Sequence, residues 1–326
     1  MKRSYVLSAA ALIFVLGATS ALAGLQEKIA SRVDAGLWSG TRAMDDIGTQ
    51  LSFGPRVPGT IGHEKEIRFI ETQLATTPVD SVKTQQWTDN DPANATSSSS
   101  GRTQRIYTNV IARFYPEKST RIILGTHYDS IARAYADKAN PNGAMPGANN
   151  SASGVALLLE TARALGSLPA PPVGIDMVFF DGEEGPKSLG AGDPEWHAVG
   201  SPYFARHLID YYPDGSPERA VIFDMVCYKN LELQPDLLSL SSAKNQLLQF
   251  WHIGSVNFPT IFQTQPLNYP INDDEDAFAK LGIPSFLVIG FKYDPWFNTT
   301  KDTLDKCAPS ILTAVGNTLV KYLYAM

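Results

Sequence analysis

The sequence lacks the charge pattern of a nucleic-acid binder. Its 27 Lys and Arg are outnumbered by 33 Asp and Glu over 326 residues, for a formal charge of −6. It has no basic run and no interleaving of basic and aromatic residues, so nothing in it is built to neutralise a phosphate backbone. No internal repeat stands out, and beyond the first two dozen residues no stretch is apolar enough to span a bilayer. Cysteine is scarce: Cys227 and Cys307 are the only two. In an exported protein they have the means to form one disulfide, though the sequence alone leaves open whether they meet.

The N-terminus explains why export is expected. Lys2 and Arg3 precede the apolar run "YVLSAAALIFVLGA", which ends in "SALA" before Gly24. A basic start, an apolar middle and a small-residue end describe a cleavable signal over residues 1–23, leaving one domain over 24–326. The alternative is an N-terminal membrane anchor. No Cys lies near the cleavage point, which argues against a lipid anchor. The mature chain loses Lys2 and Arg3 and no acid, so its charge moves from −6 to −8. A secreted or periplasmic protein follows, with no stable membrane insertion once the signal is gone.

At 44% apolar residues the chain can bury one large core or two modest ones. Residues 25 to 78 read as helices around a Pro/Gly loop, "FGPRVPGTIG". "VDSVKTQQWTD" begins strand-like alternation, and residues 90–104 read as an exposed polar loop. Strand and helix then alternate. "IYTNVIARF" has the alternation of an edge or antiparallel strand. "RIILGTH" and "GIDMVFFDG" are short apolar runs of the kind buried in central strands, as are "RAVIFDMV" and "PSFLVIGF". "ASGVALLLETARAL", with Ser151 as N-cap, "SPYFARHLIDYY", "SSAKNQLLQFWHIGS", "DDEDAFAKLG" and the closing "APSILTAVGNTLVKYLYAM" read as helices. Such units imply an α/β fold: a mostly parallel sheet covered by helices on both faces.

In sheets of this kind chemistry gathers at the carboxyl ends of strands. His127 and Asp129 follow "RIILG", Glu183 and Glu184 follow "MVFFDG", and Asp224 lies toward the end of "VIFDMV". Asp273 and Asp274 precede a short helix, and Asn298 follows a loop containing Trp296. His and carboxylates bind zinc directly, and Asp129 is spaced to orient His127. Each residue has a plainer reading too. His127 alone would be a buried, hydrogen-bonded histidine, Glu183-Glu184 a solvated turn, Asp224 a cap, and Trp296 a loop anchor.

Taken together, "GTHYDS", "PGANNSASG", "FFDGEEG", "GSPYFARHL", "FDMV", "INDDEDAF" and "NTTKDTLD" resemble the zinc-dependent exopeptidase superfamily of aminopeptidases and glutaminyl cyclases. The resemblance covers roughly residues 50 to 326. It implies a three-layer αβα sandwich around a mixed, mostly parallel sheet. "RVPGTIGHEKEIRFI", "HYDS", "DDEDAF" and the long insertion "GPKSLGAGDPEWHAV" after Glu184 favour the glutaminyl-peptide cyclotransferase branch. In that branch Trp296 sits where an aromatic side chain walls the substrate pocket. By resemblance, Glu183 is the general acid/base, Glu184 a zinc ligand, and Asp224 and Asp274 belong to an acidic hydrogen-bond network. In dinuclear aminopeptidases the positions of His127 and Asp224 bind one metal.

Two positions depart from the pattern. The Asp that ligates or bridges metal is Asn150, and the ligand His before "TTKDT" is Asn298. Neutral amide oxygen is a weak zinc ligand, so zinc is expected to bind weakly or not at all. Any zinc that binds is expected nearer His127 and Asp224 than the cyclase position. The resemblance implies conversion of N-terminal Gln of peptides to pyroglutamate with release of ammonia. A metallo-aminopeptidase is the second reading. The third is an impaired protein that binds peptide N-termini without turnover.

Overall fold

The computed structural model describes residue 24 and residues 26–33, 36–90, 104–184 and 197–326. The signal reading over 1–23, most of the polar loop at 90–104 and Trp196 lie outside the described residues. Residues 26–33 are helical, and the chain turns at Gly36 with φ +84°. Helix α1 (Gly40–Ser52) follows, capped by the Ser39 side chain, then α2 (Ile61–Leu74), capped by Thr60.

Six strands follow in one sheet: β1 (Ser81–Asn90), β2 (Gln104–Phe114), β3 (Arg121–His127), β4 (Gly174–Phe180), β5 (Arg219–Asp224) and β6 (Ser285–Ile289). Their spatial order is β1-β2-β4-β3-β5-β6. β1 and β2 pair antiparallel, as do β2 and β4, while β4, β3, β5 and β6 run parallel. The parallel strands are buried along their whole length, which accounts for their unbroken apolar sequences.

Alternation along the strands sends side chains to opposite layers. Ile122, Leu124, Met177, Phe179, Val221 and Phe223 pack in one layer with α1, α2, α3 (Ala152–Leu165), α5 (Leu237–Asn257) and α7 (Pro309–Leu323). Ile123, Val178, Phe180, Ile222 and Leu287 face the other, with Phe204 of α4 (Gly200–Arg206) and Phe278 of α6 (Asp276–Ala279). This is the mixed three-layer sandwich expected from the sequence.

Two boundaries and one capping bond differ from the sequence reading. Ser151 holds the N-cap position of α3, but its hydroxyl donates to the Asp129 carbonyl at 2.6 Å instead of capping the helix. α5 begins at Leu237, ahead of its serines, because Asp236 accepts from the amides of Leu238 and Ser239. α4 stops at Arg206 and continues only as a 3-10 turn at Leu208–Asp210.

Cys227 and Cys307 form a disulfide across a sequence separation of 80 residues. It ties the loop after β5 to the loop before α7. Both sulfurs are buried, and closing a loop of this length is worth about 2–4 kcal/mol. Replacing both cysteines by Ala is expected to lower unfolding free energy by about that amount, measured by urea denaturation; an unchanged midpoint would contradict the bond.

Candidate active site

β3 ends on His127, β5 ends on Asp224, and Asp181 follows β4. The three strands are parallel neighbours, so these ends open on one edge of the sheet. Gly182 makes the turn after Asp181 with φ +71°; a Cβ there would lie 2.8 Å from the Tyr107 ring. The turn carries Glu183 and Glu184 back over the strand ends. Asp129 fixes it: Oδ1 accepts from the Glu183 amide at 3.0 Å and Oδ2 from the Glu184 amide at 3.2 Å. One carboxylate thus joins the β3 loop to the β4 loop.

The first half of the site centres on His127, which is fully buried. Nδ1 lies 3.3 Å from Asp129 Oδ1 and 3.9 Å from Glu183 Oε2, and Nε2 lies 3.2 Å from Asp224 Oδ1. Burial opposes charge on the ring, but Glu183, Asp129 and Asp224 outweigh it and raise its pKa well above the usual value. Glu183 moves up as well. Burial is the main cause, His127 opposes it, and Asp273, Glu184 and Asp274 add to it. Asp274 is pushed to about 7, chiefly by burial, against a hydrogen bond from the Ser201 hydroxyl. The Asp274 amide donates to Asp273 Oδ1 at 2.6 Å.

The second half centres on Asn150. Its side-chain Nδ2 donates to Glu184 Oε1 at 2.6 Å and to Asn298 Oδ1 at 3.2 Å. Asn298, at φ +50°, passes the chain on by donating to the Tyr135 hydroxyl at 2.9 Å. Asp302 holds the backbone: Asn149 and Asn150 amides donate to its two oxygens at 2.9 and 3.0 Å, and the Tyr293 hydroxyl donates at 2.6 Å. Asn150 Oδ1 is buried and has no hydrogen-bond partner.

A model of peptidase family M28 matches residues 109–323, about two thirds of the chain, from β2 to the end of α7. The chain belongs to peptidase family M28. It is similar to the Mus musculus glutaminyl-peptide cyclotransferase-like protein, 26% identical over 296 residues, covering 82% of this chain and 71% of the relative. Among solved structures, Fimbriiglobus ruber glutaminyl cyclase superposes with a TM-score of 0.78 at 26% identity, covering 89% of this chain and 96% of that one. A Zn-dependent exopeptidase from Parabacteroides distasonis superposes with a TM-score of 0.77 at 26% identity, covering 89% and 99%.

The likeness to a Zn-dependent exopeptidase raises the question of whether these residues fit zinc. They do not. Catalytic zinc takes three protein ligands as a rule, mostly His, Cys or carboxylate. At the Asn150 position the only anion is Glu184, and the amide of Asn150 already satisfies one of its oxygens. At the His127 position the ring nitrogen facing Asp224 and that carboxylate make two donors, while Asp129 lies on the opposite side of the ring. Among the described residues no group of three His, Cys, Asp or Glu side chains is placed to hold a metal ion.

Trp296, half-buried on the loop leading to Asn298, takes the Lys306 ammonium over its ring face at 4.5 Å. The sequence reading assigned no role to Arg56, Asp302 or His63. Arg56 is fully buried and donates to the carbonyls of Tyr128 at 3.2 Å, Pro146 at 2.8 Å and Gly147 at 2.7 Å. It clamps the start of the connection between β3 and α3, beside His127, to its end, beside Asn150. Its place inside the "FGPRVPGTIG" loop was visible; which carbonyls it meets was not. His63 Nε2 lies 2.8 Å from Asp181 Oδ2, behind the Glu pair.

Near Arg56, Glu66 of α2 is buried with both carboxyl oxygens unpartnered. Burial pushes its pKa from 4.5 to about 8, with Arg56 and His63 opposing. An acid raised in the folded state keeps its proton there after the unfolded chain has lost it. Stability should therefore fall as pH rises from about 4.5 to about 8. At ~1.4 kcal/mol per pH unit, that span sets a ceiling of about 5 kcal/mol. The Glu66→Gln variant should be free of this fall, so its advantage over the wild type should grow between denaturation curves at pH 5 and pH 8. A constant difference would show that Glu66 is not held neutral.

Proposed function

We propose that this chain is a glutaminyl-cyclase-like enzyme, acting on peptides that begin with Gln and working without zinc. The single observation that carries the reading is Glu183. It is a buried carboxyl with a raised pKa, held by its own amide on Asp129 at the open edge of the sheet. A carboxyl whose neutral form is favoured by burial and whose ionised form is favoured by His127 is suited to both giving and taking a proton.

Cyclisation joins the α-amine nitrogen of the peptide to the carbonyl carbon of its Gln side chain. The C–N bond to the amide nitrogen breaks, and ammonia leaves. The attacking amine must lose one proton and the leaving nitrogen must gain one. Glu183 donates to the leaving nitrogen and takes the proton of the amine, returning to its starting state. His127 stabilises Glu183 while it is ionised, and Asp129 keeps both in register. Asn150 Oδ1, the buried acceptor without a partner, offers a hydrogen-bond site for an N–H of the bound peptide end. Trp296, by the resemblance, would wall the pocket. Without a dication on the substrate carbonyl, turnover should be slow beside that of zinc-loaded relatives.

A second reading is favoured by the Asn150 amide, which stands where a metal ligand is expected. The cleft would then hold peptide N-termini without turnover. The described residues contain no helix long and apolar enough to cross a membrane. With the N-terminal pattern, this supports a secreted or periplasmic protein meeting peptides outside the cytoplasm.

Ammonia release from a Gln-initiated peptide, with and without a chelator, separates the readings. Cyclisation should be measurable, should survive chelation, and should fall at least ~100-fold in Glu183→Gln with little change in unfolding midpoint. Saturable peptide binding with no ammonia release would select the binding reading. Full activity in Glu183→Gln would remove that residue from the mechanism.

A further inference from the structure

We infer that the side-chain amide of Asn150 takes the structural place of a metal ion in this cleft. A metal at such a site neutralises carboxylate charge and binds loops to one another. The amide does the second job by itself. One N–H reaches Glu184 on the loop after β4, and the other reaches Asn298 on the loop after β6. Asn150 itself is anchored through its backbone amide on Asp302, which belongs to the Asn298 loop. Asn298 then passes the link to Tyr135. Three loops, those after β3, β4 and β6, are joined through this one side chain and its partners, and the bond to the Glu184 carboxylate is the strongest link.

The first job, neutralisation, is not done by the amide. It also becomes smaller, because an Asp at position 150 would add a second carboxylate where Asn now donates at 2.6 Å to Glu184. Replacing Asn150 by Asp therefore exchanges an attraction for a repulsion between two buried carboxylates. That repulsion is relieved only by a proton or a cation. Asn298 stands at φ +50°, a conformation that His accepts along with Asn and Asp, so the backbone admits a ligand there.

The inference makes the wild-type fold independent of metal, whether or not the cleft turns over Gln. Thermal unfolding with excess zinc and with a chelator tests it directly, together with calorimetric titration by zinc ion alone. The wild type should melt at the same temperature in both conditions and show no stoichiometric zinc uptake. Asn150→Asp should melt lower than the wild type in chelator and regain much of the loss in zinc. Asn150→Asp with Asn298→His should bind zinc at least ~100-fold more tightly than the wild type, since even outer-shell changes at zinc sites shift affinity 10- to 100-fold. Asn150→Ala removes the amide without adding charge. It should be destabilised equally in zinc and in chelator, which keeps the test decisive even if the Asp variant does not fold. Tight stoichiometric zinc in the wild type, with a lower melting temperature on chelation, would overturn the inference. So would an Asn150→Ala variant as stable as the wild type.

Discussion

Two N–H groups on one side chain set the state of the whole cleft. Asn150 donates to Glu184 and to Asn298, and these are the positions at which relatives of this kind are expected to hold metal. The contact fixes more than local geometry. It decides that the loops after β4 and β6 meet through a neutral donor, and it takes up the carboxylate oxygen that a cation would use. Asp302 on one side and Asp129 on the other hold the backbones in place, each accepting two backbone amides.

If Asn150 stands in for the metal, the acids around that centre have to be accommodated by other means. Burial favours their neutral forms, and the structure shows this in the raised pKa values of Glu183, Asp273 and Asp274. His127 lies among them, its ring nitrogens within 3.9 Å of carboxyl oxygens of Asp129, Glu183 and Asp224, which favour its charged form. Protons thus do part of what a metal would do, and they are mobile where a metal is not. In the proposed reaction that mobility would let Glu183 serve as acid and base in turn.

Much of this was legible in the sequence, for identifiable reasons. The strands were readable because two buried faces demand continuous apolar runs, as in "RIILGTH" and "GIDMVFFDG". The residues His127, Glu183, Glu184 and Asp224 could be named because parallel strands bring their carboxyl ends to one edge. What Asn150 does could not be read, since its partners lie 34 and 148 residues away. The same holds for Arg56, whose three carbonyl partners lie 72 to 91 residues away, at the two ends of the connection between β3 and α3. Ser151 stands at the N-cap position as its local pattern indicated, but its hydroxyl goes to a long-range acceptor, the Asp129 carbonyl, which that pattern does not report. Sequence patterns report periodicity and chain-local preference; they do not report which loop reaches which.

The most direct measurement is a crystal structure of the wild-type protein grown with zinc, with diffraction recorded at the zinc absorption edge. The amide of Asn150 should be seen within hydrogen-bond distance of both Glu184 and Asn298, with no anomalous density between them. A zinc ion about 2 Å from a Glu184 oxygen, with the amide turned away, would contradict the central claim.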